Sequence, residues 1–161
     1  MPEIVQLLAS PVHRYEGRPS DGVVEVEAPE LMDEIDIRAG LGIVGDRYFG
    51  ERAHRDGAIT IMAAESLPPG ADLRQTRRNV LLRGFDIDAT VGTTITLDSG
   101  SGPVTLRVTR PANPCEWMNV VIGPGSRDAL RGKGGVRCEP LSDGVLRVGP
   151  VHVNRVDGAH S

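Results

Sequence analysis

The residue with the strongest chemistry in this sequence is Cys115. The stretch around it, Thr109-Arg110-Pro111-Ala112-Asn113-Pro114-Cys115-Glu116-Trp117-Met118, determines how it is presented. A thiolate is both a nucleophile and a soft metal ligand, and its pKa falls beside a cation or a helix N-terminus. Pro111 and Pro114 fix their own φ angles and push the residues before them towards extended backbone. Cys115 therefore follows a stiffened bend at the end of a strand-like run, beside the chain's one tryptophan and close to Arg110. A packed structural cysteine would show the same surroundings, because free cysteines are among the most buried residue types. Cys138 alternates with Arg137 and Glu139 and reads as a core residue of a strand, with a resolving or disulfide role open only if its side chain meets Cys115. Two cysteines are too few for a disulfide framework or a four-thiolate zinc site. Lys133 is the only lysine, so Schiff-base chemistry has a single attachment point.

Positioning such a thiol requires a stable scaffold, and 161 residues suffice for one domain with its own core. The chain's 20 glycines and 12 prolines, set among short apolar runs, favour turns and short strands over long helices. Aromatics are scarce, so the core must rest on Val, Ile and Leu. No apolar run is long enough to span a bilayer, and no basic segment leads into a hydrophobic signal core. The expectation is a cytoplasmic protein without membrane partners. Net charge is −4, unevenly divided: residues 1–73 hold six arginines against fourteen acids, and residues 74–161 twelve basic residues against eight acids. Such a polarity suits an anionic small ligand, although ordinary surface charge explains it equally well. There is no dense basic block with interleaved aromatics, which argues against nucleic acid as a partner.

The elements follow from periodicity. Glu3–Ser10 reads as a first strand, His13–Gly22 as an exposed loop, and Val23–Glu27 as a half-buried strand with alternating apolar and acidic residues. Glu30–Arg38 is expected to form a short acidic helix with Leu31, Ile35 and Ile37 inward. Gly40-Leu41-Gly42-Ile43-Val44-Gly45 is glycine-rich without the spacing or the βαβ setting of a dinucleotide fingerprint. Ala58–Ala63 and Val80–Leu82 are strands, and Thr93–Leu97 with Val104–Thr109 form the clearest hairpin. Glu116–Ile122 and Ser126–Arg131 read as short helical pieces, Val136–Glu139 and Val145–Val148 as closing strands, and Val151–Val153 as an extension of the last. The predicted fold class is mainly β: a closed or partly closed β-barrel with a few short helices, one domain over 1–153 and a frayed tail over 154–161.

Several landmarks then occur in a fixed order. They are Gly40-Leu41-Gly42-Ile43-Val44-Gly45-Asp46-Arg47, His54-Arg55-Asp56-Gly57-Ala58-Ile59-Thr60, Arg78-Asn79-Val80 with Gly84, Gly92, Arg110-Pro111 through Pro114-Cys115, and Gly134-Gly135-Val136. Over about residues 20–150 the chain resembles the MOSC family, found at the C-terminus of molybdenum cofactor sulfurases and as small stand-alone proteins. The resemblance implies a β-rich barrel that handles sulfur or binds molybdenum cofactor (molybdopterin). Cys115 would carry a persulfide or ligate the metal, and some stand-alone relatives reduce N-hydroxylated compounds with bound cofactor. The chain departs from the family at Gly92-Thr93 and Gly149-Pro150, where Gly-Asp is common. It shows no desulfurase domain, so pyridoxal phosphate is not expected on this chain. Sulfur or cofactor would come from a partner such as a cysteine desulfurase or a molybdoenzyme, and a homodimer is left open.

Carried over to this sequence, the cofactor-binding candidates are His54, Arg78, Asn79, Gly45, Arg110 and Lys133, with Cys115 as the catalytic residue and metal ligand. Arginine's planar fork suits a phosphate or carboxylate, and Arg78 and Asn79 are favoured over Arg77 because they match the family landmark. Each has a plainer reading: Arg78 and Asn79 as a strand start, His54 as a loop histidine, Lys133 as a surface cation, and Asp46-Arg47 as a pair bracing the glycine loop. The functional alternatives are a sulfur-transferring or cofactor-dependent enzyme, a non-catalytic cofactor carrier, and an interaction module in which Cys115 only packs.

Overall fold

The structure is a computed structural model that describes residues 1–12, 29–114, 118–119 and 122–156. The expected loop over 13–22, the expected strand over 23–27, Cys115 itself and the tail from 157 lie outside the described residues. Among those described, twelve strands occur: β1 (Glu3–Leu8), β2 (Leu31–Met32), β3 (Glu34–Arg38), β4 (Gly42–Ile43), β5 (Ile59–Ala63), β6 (Val80–Arg83), β7 (Thr94–Asp98), β8 (Pro103–Pro111), β9 (Val136–Pro140), β10 (Gly144–Arg147), β11 (Gly149–Pro150) and β12 (His152–Val156). Two four-residue helices, α1 (Leu73–Thr76) and α2 (Ser126–Ala129), and short 3-10 turns connect them.

Nine of these strands form one mixed sheet in the order β11-β1-β6-β5-β9-β8-β7-β12, with β2 on β1. Only β5 and β6 run parallel, and both are covered on their two faces. That is where parallel strands belong, since neither face then meets water. Ile59, Ile61, Val80 and Leu82 point to the main core, whereas Met62 and Leu81 join Leu8, Leu73, Met118 and Leu130 on the opposite face. The two outer strands of the path, β11 and β12, are separated only by Val151, which is buried and donates its N–H to Pro2 O at 3.1 Å. One bent stretch thus pairs with β1 on one side and β7 on the other. A second sheet, β10-β3-β4, closes over the main core and contributes Ile35, Ile37, Ile43 and Leu146 to it.

Two expectations are corrected. Glu30–Arg38 is not a helix but β2 and β3, with Ile35 and Ile37 inward between exposed Glu34 and Arg38. This two-residue period is satisfied by pairing with β10, more than a hundred residues away. The chain also stays ordered in a strand past Asn154: Asn154, Arg155 and Val156 pair with Thr96, Ile95 and Thr94. The hairpin of β7 and β8 stands as read, with Asp98 facing Pro103. No helix of the described residues is long and apolar enough to cross a membrane.

Candidate functional site

The bend before Cys115 is built from three separate parts of the chain. Pro111 is still in β8 and pairs with Val136. The Ala112 N–H then donates to Gly135 O at 2.9 Å, which ties the start of the bend to the turn before β9. Contact there is close. A Cβ on Gly134 would strike Ala112 O, and one on Gly135, whose φ is +93°, would strike Ile61 O in β5. Gly134 and Gly135 therefore form a packed wedge, while Gly132 and Lys133 before them are exposed. Asp88 Oδ1 holds the wedge from the other side by accepting the Gly135 N–H at 3.0 Å. Burial pushes the Asp88 carboxyl up, the Gly135 bond opposes this, and neighbouring Asp86 adds to the rise.

Arg78 is the central clamp. Its Nε donates to Gly134 O at 2.8 Å, Nη1 to Thr76 O at 3.2 Å, and Nη2 to Ala112 O at 3.1 Å and Asn113 O at 3.4 Å. The guanidinium fork thus ties α1, the bend and the turn before β9 together. Asn79 points elsewhere. Its Oδ1 accepts from Thr60 N and Oγ1, its Nδ2 donates to Leu8 O at 3.1 Å, and it is fully buried between β1 and β5. Truncating it leaves buried backbone groups without partners, each costing of order 1–3 kcal/mol. We expect Asn79→Ala to lower unfolding stability by about 2 kcal/mol, read from the denaturant midpoint. A loss below about 0.5 kcal/mol would show that Asn79 is dispensable for the β1–β5 junction.

The other expected site residues are dispersed. Arg110 pairs with Asp56 at 3.1 Å on the outer side of β8. Lys133 is exposed beside Gly134. His54 packs against Tyr48 in a tilted arrangement with ring centroids 4.7 Å apart, and Arg47 Cζ lies 4.6 Å from the centre of the tyrosine ring. Gly45 lines a different cavity of about 480 Å³ together with Ala9, Pro29, Glu34, Asp36 and Val145. The Asp46–Arg47 pair does brace the glycine loop: Asp46 Oδ1 lies 3.1 Å from Arg47 Nη1 and accepts the Ser10 N–H at 3.1 Å. Burial raises the Asp46 carboxyl against the pull of Arg47. Arg47 also donates to Arg77 O at 3.0 Å, and buried Arg77 pairs with Glu30 at 2.6 Å. The bend therefore gathers Arg78, with Lys133 at its edge, while His54 sits by Tyr48 and Arg47 and Gly45 lines the separate cavity.

Cys138 lies in the main core with no exposure, and burial pushes its thiol well up. It is a packing residue, as its alternation with Arg137 and Glu139 predicts. Asp88 escaped sequence reasoning because nothing near it in the chain marks its contact 47 residues away. Among the described residues no group of three His, Cys, Asp or Glu could hold a metal ion.

Solved structures share this architecture. YuaD from Bacillus subtilis superposes with a TM-score of 0.69 at 20% identity, over 96% of both chains. The fold is that of YuaD and YiiM. YiiM from Geobacillus stearothermophilus gives 0.61 at 17% identity over 96% of this chain and 75% of its own. YiiM from Escherichia coli gives 0.54 at 16% identity over 94% and 69%. No family model matches the sequence, and no curated protein matches it.

Proposed function

We propose that this chain is a MOSC-type protein that handles sulfur or a molybdenum cofactor through Cys115. The observation that carries the reading is the Arg78 clamp. Four carbonyls on three chain segments are fixed by one guanidinium, and three of them lie on the bend or on the wedge beside it. A site that must hold a reacting group needs its supporting shell locked in this way. The fold shared with YuaD and YiiM, which are MOSC-like proteins, supports the family placement. We also read the nine-stranded sheet as a barrel closed at Val151, because its outermost strands are consecutive in the chain.

The residues fit such a ligand only in part. In this reading Arg78 serves as a positioning residue, since its donors are engaged with backbone carbonyls of the bend, whereas Asn79 holds the β1–β5 junction. The outward cations flanking the bend, Arg110 and Lys133, would meet an anionic group. With no metal cluster among the described residues, Cys115 would be the chain's own metal ligand, which suffices for a metal that arrives with ligands of its own. The bound cofactor would supply the metal and its redox chemistry. As a sulfur carrier, the Cys115 thiolate would attack the terminal sulfur of a donor persulfide, forming a new S–S bond and releasing the donor thiolate.

The test is molybdenum content after expression in a cofactor-producing host, together with mass spectrometry of Cys115 after incubation with a cysteine desulfurase. Wild type is expected to retain molybdenum or to gain one sulfur at Cys115, and Cys115→Ala to do neither. Equal, near-zero metal in both proteins with no added sulfur on wild type would sink the reading. Retained cofactor without reductase activity on an N-hydroxylated base would favour a carrier.

A further inference from the structure

We propose that Arg110 and Arg137 form a seat for a phosphomonoester group, on the face made by residues Arg52–Gly57 and the outer side of β8 and β9. The two arginines are direct partners across the β8–β9 ladder, just past a register shift between Val108 and Arg110. Their side chains converge over buried Gly57: a Cβ there would lie 2.9 Å from Arg110 Nη2 and 3.3 Å from Arg137 Cβ and Cδ. Like charges directly opposite on a sheet repel, and they persist where something else is gained. Thr109 Oγ1 fixes the arrangement by donating to Asp56 O at 2.7 Å and approaching Arg137 O at 3.1 Å.

Charge on this face is not balanced. Arg110 has Asp56, an exposed pair that a stronger anion can displace. Glu139 is shared by Arg107, which hydrogen-bonds it, and Arg55 at 3.7 Å. Half-buried Arg137 has no ion pair or side-chain hydrogen bond to any described residue. Arg110 beside an exchangeable carboxylate, with Arg137 as its ladder partner, offers two planar forks suited to the charge and geometry of a dianionic phosphate. Phosphate binding would replace the repulsion between the arginines with two charge-assisted contacts. The seat lies two residues before the bend, so it would hold the anionic end of a ligand whose reacting part meets Cys115. That link rests on the function proposed above, but the seat itself does not.

The experiment is an NMR titration of the full chain with inorganic phosphate and then phenyl phosphate, following the Asp56, Gly57 and Arg137 amides. Saturable shifts at these positions are expected, with phenyl phosphate competing for them. Arg137→Gln should weaken binding at least tenfold. Asp56→Asn should tighten it several-fold by removing the competing carboxylate, a gain that no damaged fold would produce. The proposal is overturned if chloride at matched ionic strength gives the same shifts, if phenyl phosphate fails to compete, or if both variants bind phosphate as wild type does. Phosphate binding in a protein that takes up neither molybdenum nor sulfur would leave the seat standing and remove the cofactor reading.

Discussion

Gly135→Ala is expected to destabilise this protein by about 4 kcal/mol, a large share of the roughly 5–15 kcal/mol typical of a folded domain. Two separate terms add. At φ +93° an L side chain is strained, at a cost of about 1–2 kcal/mol. The new methyl would also be driven onto Ile61 O, with Ile61 C and Met62 Cα at 3.0 Å. Those are backbone atoms of β5, held by β6 on one side and β9 on the other, so they cannot retreat as a flexible side chain would. Overpacking against such a wall costs about 1–3 kcal/mol or more. The control is Gly102→Ala in the β7–β8 loop, where φ is +101° but nothing lies within 4 Å of the added Cβ. It carries the strain without the collision and should lose only about 1 kcal/mol. For a chain of this size the difference corresponds to a melting-temperature gap of roughly 6–12 °C. Equal losses in the two variants would show that the wedge can yield and that the bend is not rigidly seated.

That wedge also shows how far sequence reasoning reaches. The glycines at 134 and 135 are visible as a turn, but their purpose is close approach to Ala112 and Ile61, and only the assembled sheet creates those neighbours. Short-range pairings were legible: Ile95 and Leu97 face Leu106 and Val104 in a hairpin whose alternation is local. β3 was not, because Leu31 and Ile35 four residues apart also fit a helix. Its strand state is decided by β10, whose Val145 and Leu146 pair with Asp36 and Ile35. Arg78 was identified as a residue of interest but its direction was not. Apart from Thr76 O, its acceptors lie 34 to 56 residues away, and nothing near it in the chain indicates that the fork turns towards those carbonyls. For Arg110 the signal lay in the bend motif, whereas Arg137 gains its meaning only when β8 and β9 pair.

Arg78→Ala separates a clamp from a surface cation. A half-exposed arginine with one solvent-facing partner contributes little, about 0–1 kcal/mol. Arg78 instead bonds four carbonyls, and hydrogen bonds to a charged group are worth roughly 1.5–3 kcal/mol each, without simple additivity. Water can reach some of the freed carbonyls, so the expected loss is about 3 kcal/mol rather than the sum. Arg78→Lys should restore less than half of it, because an ammonium is a compact charge that cannot span Gly134 O and Ala112 O with a planar fork. Stability alone would not locate the effect. Hydrogen exchange at the Ala112 amide does, since that N–H is bonded to Gly135 O inside the clamp. Its protection should fall to that of an unbonded loop amide in Arg78→Ala, whereas the Val80 and Leu82 amides of β6 should stay protected, falling no further than the roughly 150-fold that a loss of about 3 kcal/mol imposes. Buried Cys138 should stay inert, so sulfur added by a desulfurase reports on Cys115. Loading of that sulfur should drop in Arg78→Ala in step with the loosened bend. If Ala112 stays protected and sulfur loading is unchanged, the bend holds its shape without Arg78, and the reading built on the clamp fails.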